Sequence, residues 1–408
     1  MKSMKGLDVL KRFLVSFSLV GTLLWGESQG LTSFLSENQN KLFDYRFGMN
    51  TAQSKLLTYS WVNPILMQYT RSFSEQFTSG VVASSSFSVG IDQPIFRSGG
   101  IYFAMKYAKA QGSANATDIA LQKRQAITEA TRLLFSIKRL ALQEKKSRLL
   151  LANDKIDIRQ KREQYQAGLM DSSFLDQAIL KANIDESQLL SLQMSRLSLE
   201  ERFAQLSDKD PKSISLPHLH LIKKHDYIQR HLELKRERLR ATQKEYEQKM
   251  TWAKYLPTLS LQGRYTYADP NPLFPSSGVE EHYWTYGLTV SMPIDMNMFT
   301  DIEAKKLDAL RAKVELLERQ KSVNETYKQV LSRLKRIEQK IVLSQKDEKL
   351  YRRLYRITKG LVHSGEKSSL DLKMMSNGVK IRQLDQKMYA IDKELELLTL
   401  YTKVEDAI

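Results

Sequence analysis

Residues Thr258 to Ala268 read TLSLQGRYTYA, and residues His282 to Met292 read HYWTYGLTVSM. In both stretches apolar side chains alternate with polar ones, which is the period of a β-strand with one apolar and one polar face. The segment between them contains Asp269-Pro270-Asn271-Pro272 and is typical of a loop. Each strand has about 10 residues, enough to cross a bilayer as a tilted barrel strand. We therefore predict a β-hairpin suited to a membrane barrel.

The aromatic residues of this hairpin resemble the girdle found where barrels meet the membrane surface. They are Tyr265, Tyr267, Tyr283, Trp284 and Tyr286. A soluble alternative is a strand pair buried against helices, as in a sandwich. A fainter alternating pair occurs at residues 65–70 and 86–91. Four strands are fewer than the roughly eight of the smallest membrane barrels, and open edges are costly in lipid. A membrane barrel must then be assembled from several chains.

Long proline-free stretches follow both strand pairs, from Pro94 to Pro211 and from Pro293 to the last residue. Apolar residues recur there in steps of three and four, as at Leu307, Leu310, Val314 and Leu317, which is the seven-residue repeat of coiled coils. A helix from Ser98 to Gln166 would be about 100 Å long at about 1.5 Å per residue. The sequence thus predicts the same plan twice: strand pair, long helix, turn, shorter helix. A long soluble coiled coil explains the heptads but not the hairpins.

The N-terminus has the three regions of a secretory signal peptide, which we place at residues 1–26: a basic start, an apolar run from Phe13 to Trp25, and a small-residue exit. An N-terminal membrane anchor is the alternative. The chain of 408 residues contains no cysteine, which excludes disulfides, thiolate metal sites and a cysteine nucleophile. Its net charge is +17, but the basic residues alternate with acidic ones along the helices. This favours a solvated surface over nucleic-acid binding.

Four histidines, His218, His220, His225 and His231, lie within fourteen residues and could in principle chelate a metal. No acidic or cysteine ligand set accompanies them, so we favour a solvated linker and predict no metal site. Glycine-rich phosphate loops, zinc-protease motifs and nucleophile elbows are absent from the sequence. We predict no enzyme activity, no catalytic residue and no cofactor.

Several short motifs recur in the two halves of the chain. Gln93-Pro94-Ile95-Phe96 with Gly99-Gly100 has a counterpart in Met292-Pro293-Ile294-Asp295, and the two prolines lie 199 residues apart. The segment from Tyr165 through Gly168 has a counterpart around Gly365, and these glycines lie 197 residues apart. In their order and spacing these motifs resemble the strand-to-helix junctions and helix-turn-helix tips of TolC-type outer membrane efflux proteins. The resemblance covers the mature chain nearly end to end.

The resemblance implies an α+β membrane protein, mostly long coiled-coil helices that form a periplasmic tunnel. Each chain would contribute four strands to a 12-stranded transmembrane β-barrel shared by a homotrimer. It implies location in the outer membrane with extension into the periplasm, and contact with outer membrane lipid, a periplasmic adaptor protein and an inner-membrane pump. Residues 27–408 would be one domain of two repeats, about 50–206 and 240–403, joined by an equatorial linker at 207–225.

The resemblance also implies a gate at the periplasmic tips. Lys367 and Asp371 fall on positions that match the family's gate, whereas Val362, Met374 and Phe174 depart from it. Asp171, Asp176 and Ser173 are further gate candidates, and Gly168 and Gly365 would mark the tip turns and the adaptor contact. The alternative for the acidic and hydroxyl residues is helix capping.

The implied function is an exit duct of a tripartite efflux or type I secretion system, passively conducting substrates across periplasm and outer membrane. A metal-ion efflux duct is a variant within this class. The alternative from another class is a secreted or periplasmic coiled-coil structural or interaction protein.

Overall fold

The computed structural model describes residues 34–75, 81–268 and 280–405. The predicted signal peptide and the predicted loop from Asp269 lie outside the described residues. The elements in chain order are α1 (Glu37–Thr58), β1 (Leu66–Ser74), β2 (Val82–Phe96), α2 (Gly100–Gln166), α3 (Ser172–Ala204), α4 (Lys224–Gln229), α5 (Leu232–Lys254), β3 (Thr258–Ala268), β4 (His282–Ser291), α6 (Met298–His363) and α7 (Ser369–Tyr401). The plan of strand pair, long helix and shorter helix occurs twice, as the sequence predicts.

The strands form one antiparallel sheet in the order β1-β2-β3-β4. Their register aligns the alternation of all four strands, so that one face is mainly apolar and the other mainly polar. No helix packs along either face of the described sheet, and β4 is exposed over its whole length. The soluble alternative, strands buried against helices, is therefore wrong. β1 and β4 are the two edge strands, and the sheet is not closed within one chain.

A bulge and a left-handed turn redirect the chain from β2 into α2. The pairing of β2 with β3 shifts between Pro94 and Phe96, where proline cannot donate a ladder hydrogen bond. Ser98 and Gly99 then take positive φ angles of 46° and 84°, and the Ser98 hydroxyl donates to the Pro257 carbonyl at 2.8 Å. The β2–α2 and α5–β3 connections are thereby tied together at the base of the sheet.

The long helices confirm the length predicted from the sequence. α2 has 67 residues and α6 has 66, about 100 Å each, while α3 and α7 have 33 residues each. Both long helices end in a turn of the same type. Gly168 and Gly365 adopt φ of 68° and 80°, and the following amides, Leu169 and Glu366, reach back to carbonyls five residues earlier at 2.9 Å. These are Schellman-type caps, which favour glycine.

The helices form a layer whose composition changes along its length. On the side of the sheet, α1 packs on α2, α2 on α5, and α5 on α6. On the side of the turns, α3 packs on α2, α2 on α7, and α7 on α6. α6 therefore forms one edge of the layer in both parts. The opposite edge is α1 on the side of the sheet and α3 on the side of the turns. Among the described residues, no helix combines the length and apolar character needed to cross a membrane.

Two apolar clusters fill the middle of the layer, and we call them together the equatorial core. One joins α2, α6, α7 and the segment before α4, and includes Phe135, Tyr227, Val330 and Leu398. The other includes Phe34, Leu134 and Phe203. The predicted solvated linker is wrong at Leu219, which is buried in this core and whose amide donates to Glu394 Oε2 at 2.9 Å. Apolar side chains at 216, 219 and 222 account for the burial.

Candidate functional site

Four polar contacts join α2 to α7 between the equatorial core and the turns. The bonded pairs are Arg139–Asp392, Lys146–Asp385, Asn153–Asn377 and Gln160–Asp371. On α2 these residues lie seven apart, so they share one face of the helix along a coiled-coil seam. We call this row the polar ladder. It connects the first half of the chain to the second, because α2 and α7 belong to different halves.

The rungs of the polar ladder change in type toward the turns. The two rungs nearest the equatorial core are ion pairs, with N–O distances of 2.6 Å and 2.7 Å. The third joins two amides at 2.8 Å, and the fourth joins an amide to a carboxylate at 3.0 Å. Hydrogen bonds with at least one charged partner are roughly twice as strong as neutral ones, so the bond between the two amides is the weakest rung in type. The seam therefore changes from ion pairs near the equatorial core to bonds made by amides near the turns.

Asp371 combines a rung of the polar ladder with a helix cap. Its Oδ1 accepts from Gln160 Nε2, and its Oδ2 accepts from the Ser368 amide at 3.1 Å and from the Ser368 hydroxyl at 2.9 Å. The Asp371 amide in turn donates to Ser368 Oγ, which completes a capping box. The pKa of Asp371 is lowered from its ordinary value mainly by the bond from Gln160 and next by the bonds from Ser368. The carboxylate is held ionised at the start of α7.

The other gate candidates divide into a cap and two exposed side chains. Asp171 is the N-cap of α3, and its Oδ1 accepts from the Ser173 amide at 2.8 Å. This contact lowers the pKa of Asp171. Asp176 and Lys367 are exposed, and neither forms an ion pair within the described part of the chain. The structure thus brings Asp171 and Ser173 together and joins Asp371 to α2, whereas Lys367 and Asp176 form no bond in either contact.

The sequence analysis missed Gln160, Asn153 and Lys146. A signal was present, because polar residues recur every seventh position on α2 beside the apolar stripe. The pairing itself needs the knowledge that α2 lies against α7. Close packing supports the seam from its other side, where a Cβ on Gly378 would lie 2.7 Å from the ring of Tyr351. α6 and α7 therefore approach each other closely beside the Asn153–Asn377 rung.

Each edge of the helical layer carries an exposed apolar stripe. On α6 near the sheet the stripe is the predicted heptad group Leu307, Leu310, Val314 and Leu317, 48% to 61% exposed. On α1 it is Leu42, Tyr45, Met49 and Leu56. Near the turns, α3 exposes Leu180, Ile184, Leu190, Met194 and Leu197, and α6 exposes Leu343, Leu350, Leu354 and Ile357. Within the described residues of one chain, the α6 heptads therefore have no partner for this face.

The stripes on opposite edges lie at matching heights. The Asn50 side chain bonds the Gly112 carbonyl, twelve residues after the start of α2, and Leu310 lies twelve residues after the start of α6. Near the turns, Ser344 bonds the Arg382 carbonyl, and α2 contributes Glu144, which bonds Arg196 of α3. Near the sheet, the α6 stripe therefore lies at the height at which α1 exposes apolar side chains. Near the turns, the α6 stripe lies at the height at which α3 exposes them.

The predicted interface aromatics do not all share one face. The rings of Tyr265 and Trp284 lie 5.1 Å apart, and the register puts Tyr267 and Tyr286 on the same face. Tyr283 pairs with Thr266 and points to the opposite, polar face. All of the β4 aromatics are exposed.

The histidines do not converge. His218 Nδ1 lies 2.7 Å from Glu394, the rings of His218 and His220 are 5.3 Å apart, and His231 is buried elsewhere against Tyr227. Within the described ranges, no group of three or more potential metal ligands is brought together.

Solved structures of outer membrane channels resemble this chain over nearly its whole length. No family model matches it, and no curated protein matches it in sequence. The CmeC outer membrane channel of Campylobacter jejuni has a TM-score of 0.74 at 16% identity, covering 92% of this chain and 86% of that one. The outer membrane protein VceC of Vibrio cholerae gives 0.72 at 14%, covering 91% and 95%. The open MtrE channel of Neisseria gonorrhoeae gives 0.62 at 12%, covering 89% and 85%. The chain has the fold of the TolC-type outer membrane channels, as its sequence motifs indicate.

Proposed function

We propose that the protein is the outer membrane exit duct of a tripartite efflux system and conducts substrates passively across periplasm and outer membrane. The observation that carries this proposal is the incomplete edge of the single chain. Within the described residues the sheet ends in β1 and β4, each with one unpaired edge, and the helical layer ends in exposed apolar stripes on the same sides. Both need a neighbouring surface of the same kind, because open edges and large apolar faces are costly in a monomer.

A second copy supplies both missing surfaces at once. β4 of one chain would pair with β1 of the next, and the α6 stripes would pack on α1 above and α3 below. Such a head-to-tail contact closes into a ring. Three copies give twelve strands, above the roughly eight of the smallest membrane barrels. The result is a homotrimer whose helices extend the barrel as a tunnel.

The apolar face of the sheet would then contact outer membrane lipid, with Tyr265, Tyr267, Trp284 and Tyr286 near the interface. Tyr283 leaves this set, because it lies on the polar face that would line the barrel. Residues 27–408 act as one domain whose two repeats, about 50–206 and 240–403, are joined by the equatorial segment 207–225. The export signal is residues 1–26.

The periplasmic gate in this proposal is the polar ladder. Opening separates α2 from α7 near the turns, where the rungs are bonds from amides to an amide and to the Asp371 carboxylate, while the ion pairs near the equatorial core hold. Asp371 is a gate residue through its bond from Gln160, with Lys367 as a nearby charge that favours the ionised carboxylate. Asp171 and Ser173 fix the start of α3 beside the first turn, with Asp176 exposed one turn further. The exposed turns at Gly168 and Gly365 are the contact for a periplasmic adaptor, which couples the duct to an inner-membrane pump that supplies the energy.

The experiment is the native mass of the mature protein extracted from outer membranes, corrected for bound detergent. We expect a three-chain particle. The double substitution Leu310→Glu and Val314→Glu places charge in the α6 stripe and should reduce the particle to monomers. Lys306→Gln with Lys313→Gln alters neighbouring exposed residues and should leave three chains. A soluble, detergent-independent species would contradict the proposal and favour the coiled-coil interaction protein.

A further inference from the structure

A groove with a volume of about 240 Å³ lies between the last turns of α1 and the first turns of α2. Ser54 and Thr58 line it from α1, and Tyr102, Met105, Lys106 and Lys109 line it from α2. The two helices are held together just beyond the groove, where Gly112 allows Ser54 to approach closely. A Cβ at Gly112 would lie only 2.3 Å from the Ser54 hydroxyl. The groove is therefore a fixed feature of a tight helix pair.

The groove presents positive charge without a carboxylate. No acidic residue lines it, and within the described part of the chain neither Lys106 nor Lys109 forms an ion pair. Lys106 Nζ lies instead 5.4 Å from the centre of the Tyr102 ring, which holds the ammonium over the groove wall. Other lysines on these helices are paired, as Lys123 is with Asp44. Two unpaired lysines beside two hydroxyl groups form donors suited to a phosphate group.

We infer that this groove binds a phosphate group, carried either by the headgroup of an anionic phospholipid or by a free anion. Lys106 and Lys109 supply the charge, and the hydroxyls of Ser54 and Tyr102 supply further donors. Met105 provides an apolar wall against which the glycerol end of a lipid packs. A phosphate diester and inorganic phosphate share this chemistry, so the test below separates them.

The position of the groove favours a lipid source, a choice that rests on the proposed function. Thr58 is the last residue of α1, eight residues before β1 begins, and Lys109 lies within the first three turns of α2 after β2. If the sheet spans the membrane, the groove lies directly below it, at the level of the periplasmic leaflet headgroups. Basic and aromatic side chains concentrate at such levels. The exposed Tyr59 and Tyr102 are at the same level.

The test is native mass spectrometry of the full mature protein in neutral detergent, titrated with dioleoylphosphatidylglycerol with and without inorganic phosphate. We expect lipid-bound protein, and about 30-fold weaker binding after Lys106→Gln with Lys109→Gln, since each lysine near anionic lipid gives about a fivefold effect. The matched control is Lys306→Gln with Lys313→Gln, which removes two charges from α6 at a similar distance below the sheet. The control should bind as the unmodified protein does.

Each further result decides between the sources or against the site. Lipid binding that persists in excess phosphate identifies a headgroup, whereas phosphate that displaces the lipid or binds alone identifies a free anion. Lys106→Arg with Lys109→Arg keeps the charge and should keep binding, which excludes misfolding as the cause of a loss. Equal binding of both probes by the Gln pair and the unmodified protein would overturn the inference. The spectra also count chains, so a monomer would refute the duct without bearing on phosphate binding.

Discussion

The equatorial core and the seam below it solve the same packing problem in opposite ways. In the core, α2 buries Ile127, Leu133, Leu134 and Phe135 against apolar neighbours. Below the core the same helix buries Glu144, Ser147 and Asp154, and α7 buries Asn377 and Asp385. Apolar burial is strong and nondirectional, whereas a buried polar pair contributes little net stability but fixes the geometry of its partners. The helix pair is thus anchored at the core and held by specific, replaceable bonds near the turns.

In the proposed duct this difference would keep the tube assembled while one end opens. Separating the equatorial core would expose large apolar area, but separating the lower rungs exposes amides that water can satisfy. In that duct the polar ladder would make opening local.

Leu134→Ala should destabilise the protein most. Leu134 is fully buried in the equatorial core, and large-to-small substitutions at such sites cost about 2–5 kcal/mol. The measurement is the melting temperature in detergent by circular dichroism. Leu150→Ala on the same helix is the control, because Leu150 is 38% exposed. Equal melting temperatures for the two variants would remove the claim that the core anchors the layer.

Acid should weaken the core through His231. Burial is the main cause that lowers its pKa to about 4 from 6.5, with Lys403 and Arg319 acting in the same sense and Glu233 opposing. Between pH 6.5 and pH 4 the unfolded chain therefore binds a proton at His231 that the folded chain does not bind. The free energy of unfolding keeps this contribution above pH 6.5 and falls by up to about 3 kcal/mol as the pH approaches 4.

His231→Phe should remove this component of the pH dependence, because neither ring nitrogen of His231 has a hydrogen-bond partner among the described residues. Melting temperatures of both proteins at pH 7.5 and pH 4.5 provide the check. A drop of the same size in the variant would show that other groups cause the acid sensitivity.

Asp385→Ala should cost less than Leu134→Ala, about 1–3 kcal/mol, because it leaves Lys146 and Arg382 without their shared partner. Asp392→Ala breaks the next rung, where the aspartate side chain is 25% exposed, and should cost under about 1 kcal/mol. Denaturant midpoints at low and high salt would measure both. If Asp392→Ala cost as much as Asp385→Ala, burial would not set the strength of the rungs.

The sequence predicted the strands β3 and β4 and the helices α2, α3, α6 and α7 because these elements have strong local signals. Alternation in the TLSLQGRYTYA and HYWTYGLTVSM strands, the heptads, and the glycines at 168 and 365 all express geometry that neighbours in sequence determine. The polar ladder was not predicted, since its pairs join residues more than two hundred positions apart. Asp371 was identified by resemblance, but its partner Gln160 depends on how the two halves pack. Tyr283 was grouped with the other aromatics although adjacent strand residues face opposite sides.

The most direct test of the account is single-channel conductance in planar bilayers. The purified protein should insert as a channel that is mostly closed, and Asn153→Ala with Gln160→Ala should raise its open conductance or open time severalfold with little change in melting temperature. Gln164→Ala, at an exposed position one turn further along α2, is the control and should behave as the unmodified protein does. Channels that conduct alike in all three forms would contradict the polar ladder as the gate. If none of the three forms made a channel, the duct itself would be contradicted.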